Sequence, residues 1–376
     1  MDGRDKPGHD DRQVRREGGA RFLTDEPEIL FETRGRAGLV TLNRPKALNA
    51  LTLDMVRALH PKLIEWAKDP DVERVVVRAA GERAFCAGGD IRKLYDWGRA
   101  GDPMALTFYR EEYRLNTFIK RYPKPYVALI DGIDMGGGVG ISVHGSHRVA
   151  GGRTMFAMPE TGIGLFPDVG GTWFLPRLPG KVGTWLALTG ARLGQADTVG
   201  TGVATHAVAS ERFDELCEAL SETSGLERLL DSFSEAPAGA TVPALREVID
   251  RCFSGGTVEE ILARLDSESG EHAGWAAKAA AAIRSKSPTS LKIALRQMQV
   301  GAKADFEECM RIEFRIVSRV LKGHEFFEGV RAVIVDKDNA PEWVPDALSG
   351  VTDADIDAFF APLGDDELDL TGLDRP

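Results

Sequence analysis

The stretch YVALIDGIDMGGGVGISVHGSHRVAGGRTMFAMPETGIGLFPDVGG, residues 126–171, decides the fold and carries the candidate chemistry. It begins with a short apolar run, reaches three consecutive glycines at 136–138 and continues as an apolar segment of helical length. This order predicts a strand, a glycine turn and a helix. Amide N–H groups at a helix start are unpaired and carry partial positive charge, and glycine lets another group approach them. The turn is therefore predicted to hold a negative oxygen.

Two acidic residues follow in the same stretch. Glu160 and Asp168 each come directly after a proline, in glycine-flanked turns from which a side chain can project into a cleft. A carboxylate beside an oxyanion-binding turn can activate water or attack a carbonyl carbon. Plainer roles stay open: the glycines as a helix-packing turn, Glu160 as an acidic residue that favours a helix N-terminus, and Asp168 as the cap of a helix near Gly170.

Length and charge limit the class of protein. The 376 residues predict one large domain with an extension, or two domains. With 47 Lys and Arg against 58 Asp and Glu, the net charge of −11 opposes nonspecific attraction to nucleic acid or anionic membranes. No apolar run approaches the length that crosses a bilayer. We expect neither nucleic-acid nor membrane partners.

The four cysteines are widely spaced and form no CxxC pair, which predicts a reduced, cytoplasmic setting and no metal site. Cys86 has nothing basic near it in sequence, so a structural role is favoured over a nucleophilic one. His144 is expected to pack rather than to catalyse. Residues 1–27 lack an apolar segment and mix arginine with acidic residues, which predicts a disordered leader rather than a targeting peptide.

Two regions follow the leader. Residues 28–209 alternate β-like runs, glycine loops and helices, with a first helix capped by Thr52 and kinked or broken at Pro61. From Ser210 the composition shifts to Ala, Glu, Leu and Arg, so 210–376 is predicted to be mostly helical. The acidic tail after Pro345 is expected to pack weakly.

Several motifs occur in order: AFCAGGDI at 84–91, MGGGVG at 135–140, FAMPETGIGLFPDVGG at 156–171 with TWFLPRL after it, and DFEECMRIEFRIVSRVLKGHEFFEGVRAVIVDKDNAPEW at 305–343. Together they resemble the crotonase (enoyl-CoA hydratase/isomerase) superfamily, and most closely its 3-hydroxyisobutyryl-CoA hydrolase branch. The resemblance covers about residues 28–345. It implies an α/β fold, a spiral of ββα units with an α-helical C-terminal region.

The resemblance also implies site residues. Two backbone amides hold the acyl-CoA thioester oxygen in the superfamily, and by position they belong to Gly89 and Gly137. The carboxylates of the hydrolase branch match Glu160, Asp168 and Glu112, although a glutamate on an amphipathic helix is often only a solvated face. Substrate contacts are also expected from the AGGDI turn and the RPKALNA loop, namely from Gly88, Asp90, Lys46, Ala47 and Leu48.

The implied reaction is hydrolysis of an acyl-CoA thioester, most closely of 3-hydroxyisobutyryl-CoA in valine breakdown. Glu160 would act as nucleophile or as general base, and Asp168 would orient water or bind the substrate's 3-hydroxyl. Hydratases of the superfamily carry a second catalytic glutamate where this chain has Gly140, and hydrolysis, unlike hydration, delivers no proton to carbon.

Two alternatives stay open. The first is an enoyl-CoA hydratase or isomerase that works with one carboxylate, and the second is a catalytically silent acyl-CoA-binding or scaffold protein. No cofactor is expected, because coenzyme A is part of the substrate. The helical C-terminal region can dock on its own core or on a neighbour, so a homo-oligomer is possible.

Overall fold

Nine strands form two sheets in the computed structural model, which describes residues 26–373. A six-stranded sheet has the order β1-β2-β3-β5-β7-β9 and a three-stranded sheet the order β4-β6-β8. β1 pairs antiparallel with β2, and the other pairs are parallel. The strands are β1 Ile29–Arg34, β2 Ala37–Leu42, β3 Arg74–Ala79, β4 Ala84–Cys86, β5 Tyr126–Ile130, β6 Ile133–Met135, β7 His147–Ala150, β8 Met155–Ala157 and β9 His206–Ala207.

Helices connect and flank the strands, and they make up most of the chain after β9. In the described part of the chain they are α1 Leu53–Lys68, α2 Ile91–Arg99, α3 Met104–Lys120, α4 Gly137–Ser142, α5 Gly171–Phe174, α6 Val182–Thr189, α7 Gln195–Gly200, α8 Phe213–Glu222, α9 Leu226–Phe233, α10 Val242–Cys252, α11 Val258–Ser267, α12 Ala273–Arg284, α13 Pro288–Gly301, α14 Phe306–Val320, α15 Glu325–Val330 and α16 Asp353–Phe360.

The repeating unit is a strand of the large sheet, a short strand of the small sheet and a helix. It occurs as β3-β4-α2 and again as β5-β6-α4. The buried runs VVV in β3 and YVALI in β5 supply the central strands, as their patterns predict. The expected α/β spiral of ββα units with a helical C-terminal region is confirmed. The short strands β4 and β6, which lead directly into the two glycine turns, were not predicted.

The small sheet determines where the site lies. Its strands are parallel, so the carboxyl ends of β4, β6 and β8 meet at one edge. The AGGD turn follows β4, the GGG turn follows β6, and the first acidic turn follows β8. Three segments far apart in sequence are thereby brought to one place.

Two local expectations are wrong: a break at Pro61, and weak packing of the tail after Pro345. Pro61 lies inside α1, which runs without a break because residues on both sides of it, such as Leu59 and Leu63, are buried on one face. The tail after Pro345 packs well, since Ile356 of α16 and Leu368 are buried in the main hydrophobic cluster. Its apolar residues are sparse among acidic ones, so net charge was a poor guide to packing.

The core continues across the predicted boundary near residue 209. One hydrophobic cluster contains Ile29 of β1, Phe156 of β8 and Phe314 of α14. The C-terminal helices therefore cover the same interior that the strands enclose. The division into 28–209 and 210–376 stays a prediction, and the leader assigned to 1–27 lies almost entirely outside the described residues.

Candidate active site

A cavity of about 500 Å³ opens at the carboxyl edge of the small sheet. It is lined by both glycine turns, by α3, by the turns after β8 and by residues of the C-terminal helical region. The lining residues include Gly88, Gly89, Tyr109, Glu112, Gly136, Gly137, Glu160, Asp168, Arg192, Lys286 and Asn339. The six residues that the sequence singled out in the glycine turns and the acidic positions are thus gathered at one surface.

The two glycine turns face each other. Gly88 has φ +119° and Gly136 has φ +47°, both in the region that L side chains rarely adopt. A Cβ placed on Gly137 would lie 3.2 Å from the amide nitrogen of Gly89. Because that Cβ and the Gly137 nitrogen are two bonds apart, the two amide nitrogens lie within about 6 Å of each other. Neither donates a hydrogen bond within residues 26–373, so both can hold one oxygen.

Glu160 begins a 3₁₀ turn, Glu160–Ile163, directly after β8. Its side chain is buried, and a Cβ on Gly136 would lie 3.4 Å from its Oε1. The other oxygen, Oε2, has no hydrogen-bond partner in the described part of the chain. Burial, and next the charge of Asp168, raise the pKa of Glu160 well above its usual value, while Lys286 lowers it. The carboxylate therefore faces the cavity and is not a solvated charge at a helix start.

Asp168 is buried and accepts a hydrogen bond of 2.8 Å from the hydroxyl of Tyr113. Burial raises the pKa of Asp168 to about 7. The side chain does not cap the following helix. That role belongs to Glu313 of α14, whose carboxylate accepts 2.8 Å bonds from the amides of Gly170 and Thr172. The cap interpretation of Asp168 is wrong, because a distant carboxylate occupies that position.

Glu112 lies on α3 and is 2% exposed, so it is not on a solvated helix face. Its Oε1 has no hydrogen-bond partner among residues 26–373 and lies 2.6 Å from where a Gly137 Cβ would be. Burial, followed by the charges of Asp168 and Glu313, raises its pKa well above the usual value. A third carboxyl group is thus held beside the glycine turns.

Gly140 stands where hydratases of the superfamily carry their second catalytic glutamate, and neighbouring side chains occupy the space beside it. A Cβ on Gly140 would lie 2.8 Å from Asn116 Nδ2 and 2.8 Å from Val169 Cβ. Both neighbours are buried. A longer side chain at Gly140 would require both of them to move.

Four residues predicted to contact substrate lie outside the cavity lining: Asp90, Lys46, Ala47 and Leu48. Asp90 caps α2 and forms an ion pair of 3.1 Å with Arg44. The carbonyl of Leu48 accepts a hydrogen bond from the amide of Ala87, so this loop borders the glycine turn. Their contact with coenzyme A stays a prediction.

Cys86 and His144 are both buried. Burial raises the pKa of the Cys86 thiol far above its usual value, which disfavours a thiolate nucleophile. The Nε2 of His144 is 2.6 Å from the carbonyl oxygen of Val169, and burial lowers its pKa to about 3. Both residues pack as the sequence suggested.

Sequence reasoning missed Tyr109, Tyr113, Glu313 and Lys286. Glu112 and Tyr113 follow Tyr109 by three and four residues, so all three lie on one side of α3, and polar residues on a buried side of a helix were a usable signal. Glu313 lies in the apolar stripe of α14, four residues after Cys309. A charged residue in an apolar stripe was a second usable signal. Nothing in the sequence marks Lys286, which lies between α12 and α13.

Known proteins are similar to this chain in sequence and in fold. A family model described as "Enoyl-CoA hydratase/isomerase" matches residues 37–360. A Danio rerio protein named "3-hydroxyisobutyryl-CoA hydrolase, mitochondrial" is 50% identical over 353 residues, which is 91% of this chain and 92% of that protein.

Two solved structures are similar in fold and sequence. A carnitinyl-CoA dehydratase from Mycobacterium thermoresistibile has a TM-score of 0.88 and 42% identity, covering 92% of this chain and 100% of that chain. An enoyl-CoA hydratase from Rhodobacter sphaeroides 2.4.1 has a TM-score of 0.84 and 40% identity, covering 91% of this chain and 100% of that chain.

The Danio rerio relative is named as mitochondrial, so the cytoplasmic location predicted here is not confirmed. Within residues 26–373, no helix combines the length and the apolar character that crossing a membrane requires. The family model covers most of the sequence, and the relative is half identical over nine-tenths of it. This chain therefore belongs to the enoyl-CoA hydratase/isomerase family, the crotonase superfamily.

Proposed function

We propose that this protein hydrolyses 3-hydroxyisobutyryl-CoA to 3-hydroxyisobutyrate and coenzyme A, a step of valine breakdown. The observation that carries the proposal is the pair of buried carboxyl groups, Glu160 and Asp168, at one cavity with two unpartnered amides. The name of the Danio rerio relative supports the choice of substrate. The proposed chemistry needs no cofactor beyond the coenzyme A of the substrate.

In this proposal the thioester oxygen lies between the amides of Gly89 and Gly137. Attack on the carbonyl carbon moves negative charge onto that oxygen, and preorganised donors stabilise it without the reorganisation that water would need. Backbone amides suit this role because they require no side-chain ordering. Their lack of protein partners leaves both available to substrate.

Glu160 can act by either of two routes, as a general base or as a nucleophile. As general base it takes a proton from water while the water oxygen attacks the carbonyl carbon. The C–S bond then breaks, and the leaving thiolate receives that proton. As nucleophile, a Glu160 oxygen attacks and expels the thiolate to give a mixed anhydride, which water then hydrolyses. Single turnover in ¹⁸O-water can reveal the second route, since ¹⁸O in the Glu160 carboxylate requires an anhydride that water attacks at the glutamyl carbonyl.

Hydration is the competing activity, and the names of the two solved structures favour it. Against it stands the filled space at Gly140, where Asn116 and Val169 leave no room for the second acid. A hydratase must both activate water and deliver a proton to the α-carbon. A silent binding protein would not need buried carboxyl groups with unpartnered oxygens, which are unfavourable unless a ligand meets them.

A thiol-release assay tests the proposal with 3-hydroxyisobutyryl-CoA and crotonyl-CoA as substrates. The expected result is rapid thiol release from the first and little from the second, without loss of the crotonyl double bond. Loss of that double bond with no free thiol would establish a hydratase instead. Absence of turnover on a panel of acyl-CoAs would favour the binding protein. Whether the protein assembles as a homo-oligomer stays a prediction.

A further inference from the structure

We propose that Tyr109 recognises the hydroxyl group of the acyl chain by donating its phenolic hydrogen bond to it. This makes Tyr109 a specificity residue for hydroxylated acyl-CoAs, and it rests on the proposed hydrolase function. Glu160 would act on the thioester carbonyl, whereas Tyr109 would select which acyl group is presented to it.

The phenolic hydroxyl of Tyr109 is buried and makes no hydrogen bond to the described part of the protein. The side chain is 2% exposed and lines the cavity. Its hydroxyl has no hydrogen-bond partner among residues 26–373. Buried hydroxyl groups are nearly always hydrogen-bonded, so an unpartnered one on a residue of the cavity wall points to a ligand or water that reaches it.

The neighbouring tyrosine on α3 shows the contrast. Tyr113 is equally buried, and its ring centroid is 5.9 Å from that of Tyr109. Its hydroxyl is already used, because it donates to Asp168 at 2.8 Å. Of the two adjacent phenols, one positions a carboxyl group and the other is left for substrate.

Tyr109 remains a donor under working conditions. Burial, followed by the charges of Asp168, Glu112 and Glu160, raises its pKa well above the usual value. The phenol therefore keeps its proton. An acyl hydroxyl both donates and accepts, and the surrounding carboxylates can only accept when ionised. A phenol supplies a donor whatever the protonation state of the carboxyl groups around it.

The other side-chain donors of the lining are less suited to this role. Arg192 and Asn339 are exposed, so water competes for their hydrogen bonds. Lys286 lies beside the acidic turn, with its Nζ 3.0 Å from where a Gly162 Cβ would be. Tyr109 is the donor that combines full burial with a free hydroxyl and a place on the cavity wall.

The test compares Tyr109→Phe with the unchanged protein on two substrates that differ by one hydroxyl, 3-hydroxyisobutyryl-CoA and isobutyryl-CoA. We expect kcat/KM for the hydroxylated substrate to fall about tenfold or more, since an acyl hydroxyl would lose its donor in a buried site. The value for isobutyryl-CoA should stay within about twofold. Tyr126→Phe is the matched control, because its buried hydroxyl donates to the carbonyl of Ile141 away from the cavity lining.

Equal losses on both substrates would overturn the proposal, since Tyr109 would then act on the carbonyl or on water. No loss on either would overturn it as well. Calorimetric binding of two non-hydrolysable thioether analogues, with and without the hydroxyl, gives a readout independent of turnover. If the unchanged protein releases no thiol, the hydrolase function fails. The calorimetric comparison still tests Tyr109 in that case. The unchanged protein should bind the hydroxylated analogue more tightly, and Tyr109→Phe should lose this preference.

Discussion

Replacement of Gly137 by alanine tests the oxyanion site directly. The added methyl carbon would lie 3.2 Å from the Gly89 nitrogen and 2.6 Å from Glu112 Oε1. A bound carbonyl oxygen must come within about 2.7–3.1 Å of the same donor, so the methyl group competes with it for space. We expect kcat to fall by roughly 10²–10³, the usual effect of losing one oxyanion donor.

The fold should survive this change. Gly137 is the first residue of α4 and has no positive φ, so its backbone suits alanine. The closest contact is the end of a side chain that can rotate, and we expect a stability loss of about 1–3 kcal/mol from overpacking. At Gly138, by contrast, a Cβ would lie 2.3 Å from the backbone carbonyl oxygen of Cys86, and alanine there should prevent folding.

The assay is steady-state thiol release together with urea denaturation of each variant. Gly274→Ala is the control, because a Cβ on this exposed helical glycine meets nothing within 4 Å. It should keep full activity and unfold at the same or a higher urea concentration. A folded Gly137→Ala protein with kcat within about threefold of the unchanged protein would refute the oxyanion assignment.

Three further predictions concern the acidic side of the cavity. Glu160→Gln should lower kcat roughly 10²–10⁴-fold while the urea midpoint stays close, and a wild-type rate would remove Glu160 from the chemistry. Glu160 must be ionised to act, and burial raises its pKa, so kcat/KM should fall as pH drops through that pKa. Because the charge of Lys286 lowers the pKa of Glu160, Lys286→Met should move the acidic limb of the kcat/KM profile to higher pH, whereas Lys286→Arg should leave it in place. Coincident pH profiles for Lys286→Met and the unchanged protein would contradict the assignment of this limb to Glu160. Gly140→Glu should unfold at a lower urea concentration and gain no crotonyl-CoA hydration, because a Cβ at that position already lies 2.8 Å from Asn116 Nδ2 and 2.8 Å from Val169 Cβ. An unchanged urea midpoint would show that this space is not filled.

Local pattern was enough for much of the fold. The strand, glycine turn and helix predicted from residue 126 onward are observed as β5, the turn after β6 and α4. Thr52 caps α1 by accepting from the Met55 amide. Such features depend on side-chain periodicity and on turn residues within a few positions of one another. Short-range signals are complete in the sequence, so they could be predicted.

The function of each acidic residue was less accessible to sequence. Asp168 could be read as a helix cap, and only the approach of α14 shows that Glu313 holds that position and frees Asp168 for Tyr113. Glu112 could be read as solvated, and it is buried because the glycine turn packs against α3. Burial and partners are set by segments that meet from distant parts of the chain.

The sequence by itself determined the glycine turns, the acidic turns after the prolines and the order in which strands and helices follow. Tertiary structure decided that the amides of Gly89 and Gly137 lie close together, and that Tyr109, on the wall of the same cavity, keeps an unpartnered hydroxyl. The physical reason is the parallel pairing of β4, β6 and β8. Their carboxyl ends meet at one edge through backbone hydrogen bonds that no local residue pattern encodes.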